Sequence, residues 1–542
     1  MKHIVLISML MAAWLMPEAQ SVDQGNRHLY YKRYISAENT FHQVLQKNPG
    51  IAEAWYCLTK TYLLQNKTNK ANDTLQLAPE QIHSDPYFKV ARGALFLEQD
   101  KRNEATGEFN RALEQTKQKN PDILAAVAEA HINAKAGDAT YAIALIEQAQ
   151  KRDKKNPALP TLLGDAYRKA GNGSEAYRAY QNAIILDDKY APAYYRLGEI
   201  FVSQKSPSMY VSYFQKALTA DPTYAPALYR MYVHEFYHDP AQAMQYYKAY
   251  TANSDPSIDN SYDLADLLYL NKDYDQAIQK ANSILQAEAD SARPKLYKLI
   301  GYSYAEKKDT AKAIEYMKQY FAKEADSNLI AKDYTSLAEF YATISGQDSV
   351  INTLYTKAAG IEKDSAVLYS HYERLANRAR EKKDYATEAA WLGKYYTGNN
   401  KATNRDLFNW GLALHRAEDY AMADSVFGMY VTKYPEQSYG YYWQAKARAS
   451  QDKEMKEGLA IPVYEKLIEV LQKDTTASTY KNWMIEAYGY LAAYQANTKK
   501  DYSQAIAYFD KILEVDPENT DAKRYIAILE KTAKPAKQED IN

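Results

Sequence analysis

Two consecutive stretches of equal length, Pro157–Tyr190 and Ala191–Tyr224, carry the same chemistry in the same order. Leu163 falls on Leu197, Gly164 on Gly198 and Tyr167 on Phe201. The register holds through Tyr180 on Phe214, Ala183 on Ala217, Asp187 on Asp221 and Tyr190 on Tyr224. A period of about 34 residues is one helix–turn–helix unit, and it constrains the fold more than any composition does. A helix pair exposes an apolar face that it cannot bury alone, so its neighbours must stack on it. Within each half of the unit apolar residues recur at i, i+3, i+4 and i+7, as amphipathic helices require. No alternating run is long enough to predict a sheet.

Composition fits a repeat array. At 542 residues the chain is too long for one compact core. Hydrophobic residues make up 46%, enough to bury an extended core and too many for wholesale disorder. Lys+Arg 67 against Asp+Glu 68 leaves a charge of -1, with no basic stripe, which argues against nucleic acid as a partner. The 52 tyrosines are explained first by the repeat, whose packing positions want large aromatics.

The order Leu-Gly-x-x-Tyr, then Ala, an aromatic, Ala and a helix-ending Pro resembles the tetratricopeptide repeat (TPR). The first copy has Leu163, Gly164, Tyr167, Ala176, Tyr180 and Ala183, with Asp188 where the proline belongs. The second has Leu197, Gly198, Phe201, Phe214, Ala217 and Pro222, with Tyr210 in place of the small alanine. The resemblance implies an all-α fold, a right-handed superhelical solenoid of stacked helix–turn–helix repeats. It also implies a concave face built mainly from each repeat's first helix, an elongated molecule, and a role in protein–protein interaction.

The same frame recurs along the chain from Gly25 to Pro517, giving a solenoid at 20–520 of about 14 repeats. It weakens near 251–260, 365–372, 397–404 and 473–480, which are the expected joints. Residues 521–542 read as a capping helix over Asp521–Lys531 and a charged, disordered tail. Met1–Gln20 reads as an export signal, with Lys2 as positive start, Ile4–Met16 as apolar run and cleavage expected after Ala19, so that the signal is 1–19. The apolar run is shorter than the ~20 residues of a membrane span. No cysteine follows it, so no lipid anchor is expected, and the lone Cys57 cannot form an internal disulfide. The mature protein is expected to be soluble and periplasmic or secreted.

Turns inside the repeats share a pattern: Asp273, Asp309, Asp384, Asp419 and Asp501 each stand just before a helix. There a carboxylate can accept the free amides of the first turn.

Carrying the repeat's binding positions over by register gives a candidate partner-binding groove. Its members are Tyr56 and Lys60; Tyr195, Arg196 and Glu199; Tyr229 and Arg230; and Tyr442, Trp443 and Lys446. Arg196 and Arg230 are one period apart, so they should stand on adjacent helices as an arginine ladder suited to a peptide carboxylate or acidic side chains. One catalytic motif occurs. His234-Glu235-Phe236-Tyr237-His238 is a literal H-E-x-x-H, in which two imidazoles on a helical turn can hold zinc beside a glutamate base. Asp239-Pro240 should end that helix at the second histidine, and no third ligand follows in a suitable pattern.

The leading expectation is therefore a non-catalytic scaffold or adaptor of the bacterial cell envelope with one or more protein or peptide partners. No catalytic residue, metal or cofactor is assigned. A glycan- or peptide-binding protein of an envelope uptake system is the alternative, and a zinc metallohydrolase a remote one.

Overall fold

The computed structural model describes residues 21–473, 476 and 479–533. The expected export signal, the end of the charged tail and half of the joint expected at 473–480 lie outside the described residues. Two units divide the chain, one ending at Lys307 and the other beginning at Lys308.

In the first unit α1 (Val22–Tyr30) packs on α2 (Tyr34–Lys47), α3 (Ala52–Leu64) on α4 (Thr68–Gln76), and α5 (Pro86–Glu98) on α6 (Arg102–Gln115). The pattern continues with α7 (Pro121–Asn133) on α8 (Ala139–Arg152) and α9 (Ala158–Lys169) on α10 (Gly173–Leu186). It ends with α11 (Ala191–Ser203) on α12 (Pro207–Ala220), α13 (Ala225–Glu235) on α14 (Pro240–Ala252), α15 (Ile258–Leu270) on α16 (Tyr274–Glu288), and α17 (Lys295–Glu306).

The second unit opens with α18 (Thr310–Lys323). Pairs follow: α19 (Ala331–Tyr341) with α20 (Asp348–Ile361), α21 (Ser365–Glu381) with α22 (Tyr385–Gly398), and α23 (Asn404–Arg416) with α24 (Tyr420–Lys433). Then come α25 (Ser438–Gln451) with α26 (Ile461–Leu471), α27 (Tyr480–Tyr494) with α28 (Tyr502–Val515), and α29 (Thr520–Ala533) against α28. Among the described residues all regular structure is helical, and no helix is long and apolar enough to cross a membrane.

The repeat's glycine is explained by one contact. A methyl group on Gly25 would come within 2.2 Å of the Phe41 ring; on Gly93 within 2.4 Å of Phe109; on Gly164 within 2.3 Å of Tyr180; on Gly198 within 2.4 Å of Phe214. In the second unit Gly411 stands in the same relation to Phe427, at 2.8 Å. In every case the aromatic follows the glycine at the same sequence offset, on the second helix of the pair. The absent side chain lets that ring come up against the backbone of the first helix, which is what sets the close packing within a repeat. In register, Thr59 takes the glycine's place and Leu75 the aromatic's, a larger residue matched by a smaller one.

Chain reversal inside each repeat follows from the residues after the first helix. Lys32, Asn66, Asp100 and Lys205 take left-handed backbone at φ 57, 57, 58 and 53, each just past a helix end. The expected caps are in place: Asp273 accepts from the Gln276 amide, Asp309 from Lys312, Asp384 from Thr387, Asp419 from Met422 and Asp501 from Gln504. The stretch 365–372, read from the sequence as a weak joint, is the first half of α21. There Asp364 caps the amides of Ala366 and Val367 and starts a 17-residue helix. The expected joints at 251–260 and 397–404 contain the links α14–α15 and α22–α23.

Candidate partner-binding face

The first helices of successive repeats share one face, and a single ion pair shows how it bends. Lys60 on α3 reaches Glu129 on α7 at 3.0 Å, passing over α5, which lies between them in sequence and packs on both. Two helices that are neighbours of the same neighbour can touch only on the inside of a curve. Small residues of α5, Ala91 and Ala94, floor a recess of about 170 Å³ there, walled by Tyr56, Lys60, Glu129 and Ala134. Tyr56 is 6% exposed, with its hydroxyl donating to Glu129 at 3.3 Å. Burial pushes that hydroxyl's pKa well above its usual range, so it stays a donor. Burial pulls the Lys60 ammonium down, but Glu129, together with Cys57 and Glu53, more than offsets it and leaves the amine cationic.

On α9, α11 and α13 the arginine ladder expected from the sequence is present as a chain of ion pairs. Arg196 donates to Asp165 at 2.8 Å, and Arg230 donates two bonds to Glu199, both 2.7 Å. The acids Asp165 and Glu199 are themselves one period apart and directly follow Gly164 and Gly198. Each arginine is thus held by the acid of the preceding repeat. Burial pulls the Arg196 guanidinium down, but the Asp165 charge together with the neighbouring Tyr180, Tyr224 and Tyr195 more than offsets it, and the bonds to Glu199 raise the pKa of Arg230. The pairs are partly exposed, so each is worth well under the strength of a dry pair, on the order of 1 kcal/mol. They order the face, and an incoming carboxylate would have to compete with an acid already in place.

Tyr195 is 5% exposed and Tyr229 41%. The Tyr229 ring packs obliquely on Tyr250 at 5.3 Å, leaving much of it open to solvent. In the second unit Tyr442 stacks on Trp483 at 4.2 Å and donates to Glu486 at 2.9 Å, while Lys446 reaches the same carboxylate at 2.8 Å. Trp443 faces inward between His415 and Phe427. The predicted residues therefore form three separate groups on first helices: Tyr56 with Lys60, the set from Tyr195 to Arg230, and Tyr442 with Lys446. Sequence reasoning missed their acids, Glu129, Asp165 and Glu486. Only Asp165 had a visible signal, its offset of one period from Glu199.

The H-E-x-x-H residues sit at a helix end. α13 stops at Glu235, ahead of the expected break, so His238 lies beyond the helix. His234 and His238 stack at 5.0 Å. His234 Nδ1 bonds the Tyr210 hydroxyl at 3.1 Å, and His238 Nδ1 bonds the His234 carbonyl at 2.7 Å. Among the described residues no three His, Cys, Asp or Glu side chains gather as a metal-ligand set.

Family models of the tetratricopeptide repeat match residues 28–95, 161–225 and 490–519. With the helix pairs above, they make the chain a tetratricopeptide repeat protein. Such repeats generally mediate protein–protein interactions. Among solved structures it is similar to the C-terminal part of a TPR repeat-containing protein from Cytophaga hutchinsonii, at 28% identity over 48% of this chain and 98% of that one, with a TM-score of 0.29. A tetratricopeptide repeat protein from Parabacteroides merdae is 16% identical over 46% of this chain and 96% of its own, with a TM-score of 0.29. PilF from Pseudomonas aeruginosa is 17% identical over 48% and 96%, with a TM-score of 0.26. No curated protein matches the chain.

Proposed function

We propose that this protein is a non-catalytic adaptor of the bacterial cell envelope, which holds protein partners against the first helices of its repeats. The observation that supports the reading most is the inner face itself. Its charges are tied into inter-repeat pairs such as Lys60–Glu129 and Glu199–Arg230, and aromatic surface such as Tyr229 stays open beside them. Ordered polar groups beside exposed rings are what a protein-binding surface needs, because little conformational entropy remains to be lost on association. The envelope assignment rests on Lys2 and the apolar run Ile4–Met16.

Affinity capture with the tagged full chain tests this. A partner should be recovered from envelope extract, and a Tyr229→Ala/Lys446→Ala variant should recover about tenfold less of it, a loss of about 1.4 kcal/mol. The tagged chain should fractionate with the envelope and start near Gln20 by mass. A full-length chain confined to the cytosol would remove the envelope assignment, and undiminished capture by the variant would remove these two residues from the site.

A further inference from the structure

The turn between α1 and α2 does not point into solvent. It lies against helices much later in the chain, inside the same unit. Tyr30 packs edge-on against Tyr224 at 5.3 Å, and Tyr31 donates its hydroxyl to Asp221 at 2.9 Å. The Lys32 ammonium sits 4.9 Å over the Tyr195 ring. Arg33 donates through Nε to the Asn253 carbonyl at 2.5 Å. Asp255 then caps α2 from outside the helix: its carboxylate accepts the Ile35 amide at 2.7 Å, the Ser36 amide at 3.2 Å and the Ser36 hydroxyl at 2.6 Å. No side chain of α2's own flanking residues does this, since Arg33 at the cap position makes no such bond.

The chemistry of these contacts runs mainly one way. Apart from a long bond from the Thr223 hydroxyl to the Tyr31 hydroxyl, the turn gives donors and cations, and the receiving surface gives acceptors: Asp221, the Asn253 carbonyl, Asp255 and the faces of Tyr195 and Tyr224. The arginines that might have drawn an acidic ligand to this stretch are already held by Asp165 and Glu199. The turn is also lightly seated. Ile35 is 48% exposed, and a cavity of about 490 Å³ remains between the turn and Tyr229, Arg230 and Tyr250. Tyr30 and Tyr31 pack on the apolar cluster of Tyr195 and Tyr224, but from Lys32 to Ser36 the segment is held by polar bonds, and such contacts belong to the low-stability end of a structure.

We propose that the inner face from α11 to the α14–α15 link is a receptor for a basic, aromatic turn that leads into a helix. The chain's own Tyr31–Ser36 segment occupies it as an internal ligand. A partner gains this stretch by presenting the same chemistry, a tyrosine followed by Lys or Arg and a helix start, and displacing the turn. The inference rests on reading this face as a protein-binding surface, but not on the envelope assignment.

The test uses the full chain carrying Tyr31→Ala, Lys32→Ala and Arg33→Ala, which removes the turn's side-chain contacts to Asp221, Tyr195 and Asn253 and leaves the receptor intact. The probe is a labelled synthetic peptide with the sequence of residues 28–40. It should bind this variant at least about tenfold more tightly than it binds wild type, whose site is filled, and adding Asp255→Ala should abolish the difference. In unmodified protein the Ile35 and Ser36 amides should exchange with solvent about tenfold or more faster than the Phe41 and Leu45 amides within α2. Equal binding to both proteins, no saturable binding to the variant, or equal exchange along α2 would each overturn the proposal. Normal peptide titration alongside failed capture from extract would count against the adaptor reading alone.

Discussion

Phe214→Ala is expected to open one repeat without melting the array. Phe214 is 1% exposed and packs against Gly198, so truncation removes a buried ring from a place with no side chain opposite to collapse into the void. Loss of transfer energy plus a cavity costs about 3–5 kcal/mol for such a ring. In a stacked array that cost falls on the repeat and its immediate neighbours, and a single unfolding temperature would blur it. Amide exchange is the right measurement: protection across α11 and α12 should fall by a factor on the order of 10²–10³, with α5 and α6 unchanged.

The reciprocal change sharpens this result. Gly198→Ala puts a methyl within 2.4 Å of Phe214 and should cost about 1–3 kcal/mol through overpacking. In a Phe214→Leu background the same alanine should cost much less, because leucine lacks the ring edge it strikes. Strict additivity of the two changes would mean that the glycine is there for some other reason.

The second large effect is a loss of stability on acidification, centred on His131. The imidazole is 8% exposed, and its Nδ1 accepts the Asp138 amide at 3.0 Å, the bond that closes the turn from α7 into α8. Burial holds its pKa down at about 4, against an ordinary 6.5; Asp138 pulls it back up and Lys169 pushes it further down. Because the folded form disfavours the proton, the unfolded form binds more protons between those two values. The stabilising contribution is complete above pH 6.5 and is lost progressively as pH falls toward 4. Its full size is about 3 kcal/mol, from the roughly 1.36 kcal/mol carried by each pKa unit. Carboxylates also titrate in this window, so the quantity to read is the difference between wild type and His131→Gln. Exchange protection in α7 and α8 should fall more steeply with acid in wild type than in the glutamine variant. Parallel pH profiles would show that proton binding at His131 is not what weakens this turn.

Much of the fold was legible in the sequence because a repeat states its own rules twice. The fixed offset between the two copies implied the helix pairs, and the aspartates before Tyr274 and Tyr420 implied the caps. Gly164 and Gly198 could be read as close-approach positions, but their partners, Tyr180 and Phe214, were not linked to them. The sequence shows that both positions recur, not that one ring lies on the other backbone.

The inner face was legible only as a set of positions. Arg196 and Arg230 could be placed on one side, yet that their charges are spent on Asp165 and Glu199 depends on how far one helix is rotated against the next. Nothing in the local pattern of Tyr31, Lys32 and Arg33 points to Asp221 or Asp255. That contact exists because curvature accumulated over several repeats brings the beginning of the unit back onto its later helices.

The central claim is that partners are held on the inner face, and site-specific photocrosslinking tests it most directly. A photoreactive residue is placed at Tyr229 or Lys446 on first helices, or at Ile185 near the end of the second helix α10, which is 79% exposed. Each full-length protein is irradiated in envelope extract. The account predicts discrete protein adducts from positions 229 and 446 and none from 185. Adducts from position 185 alone, or the same adduct from all three positions, would contradict it.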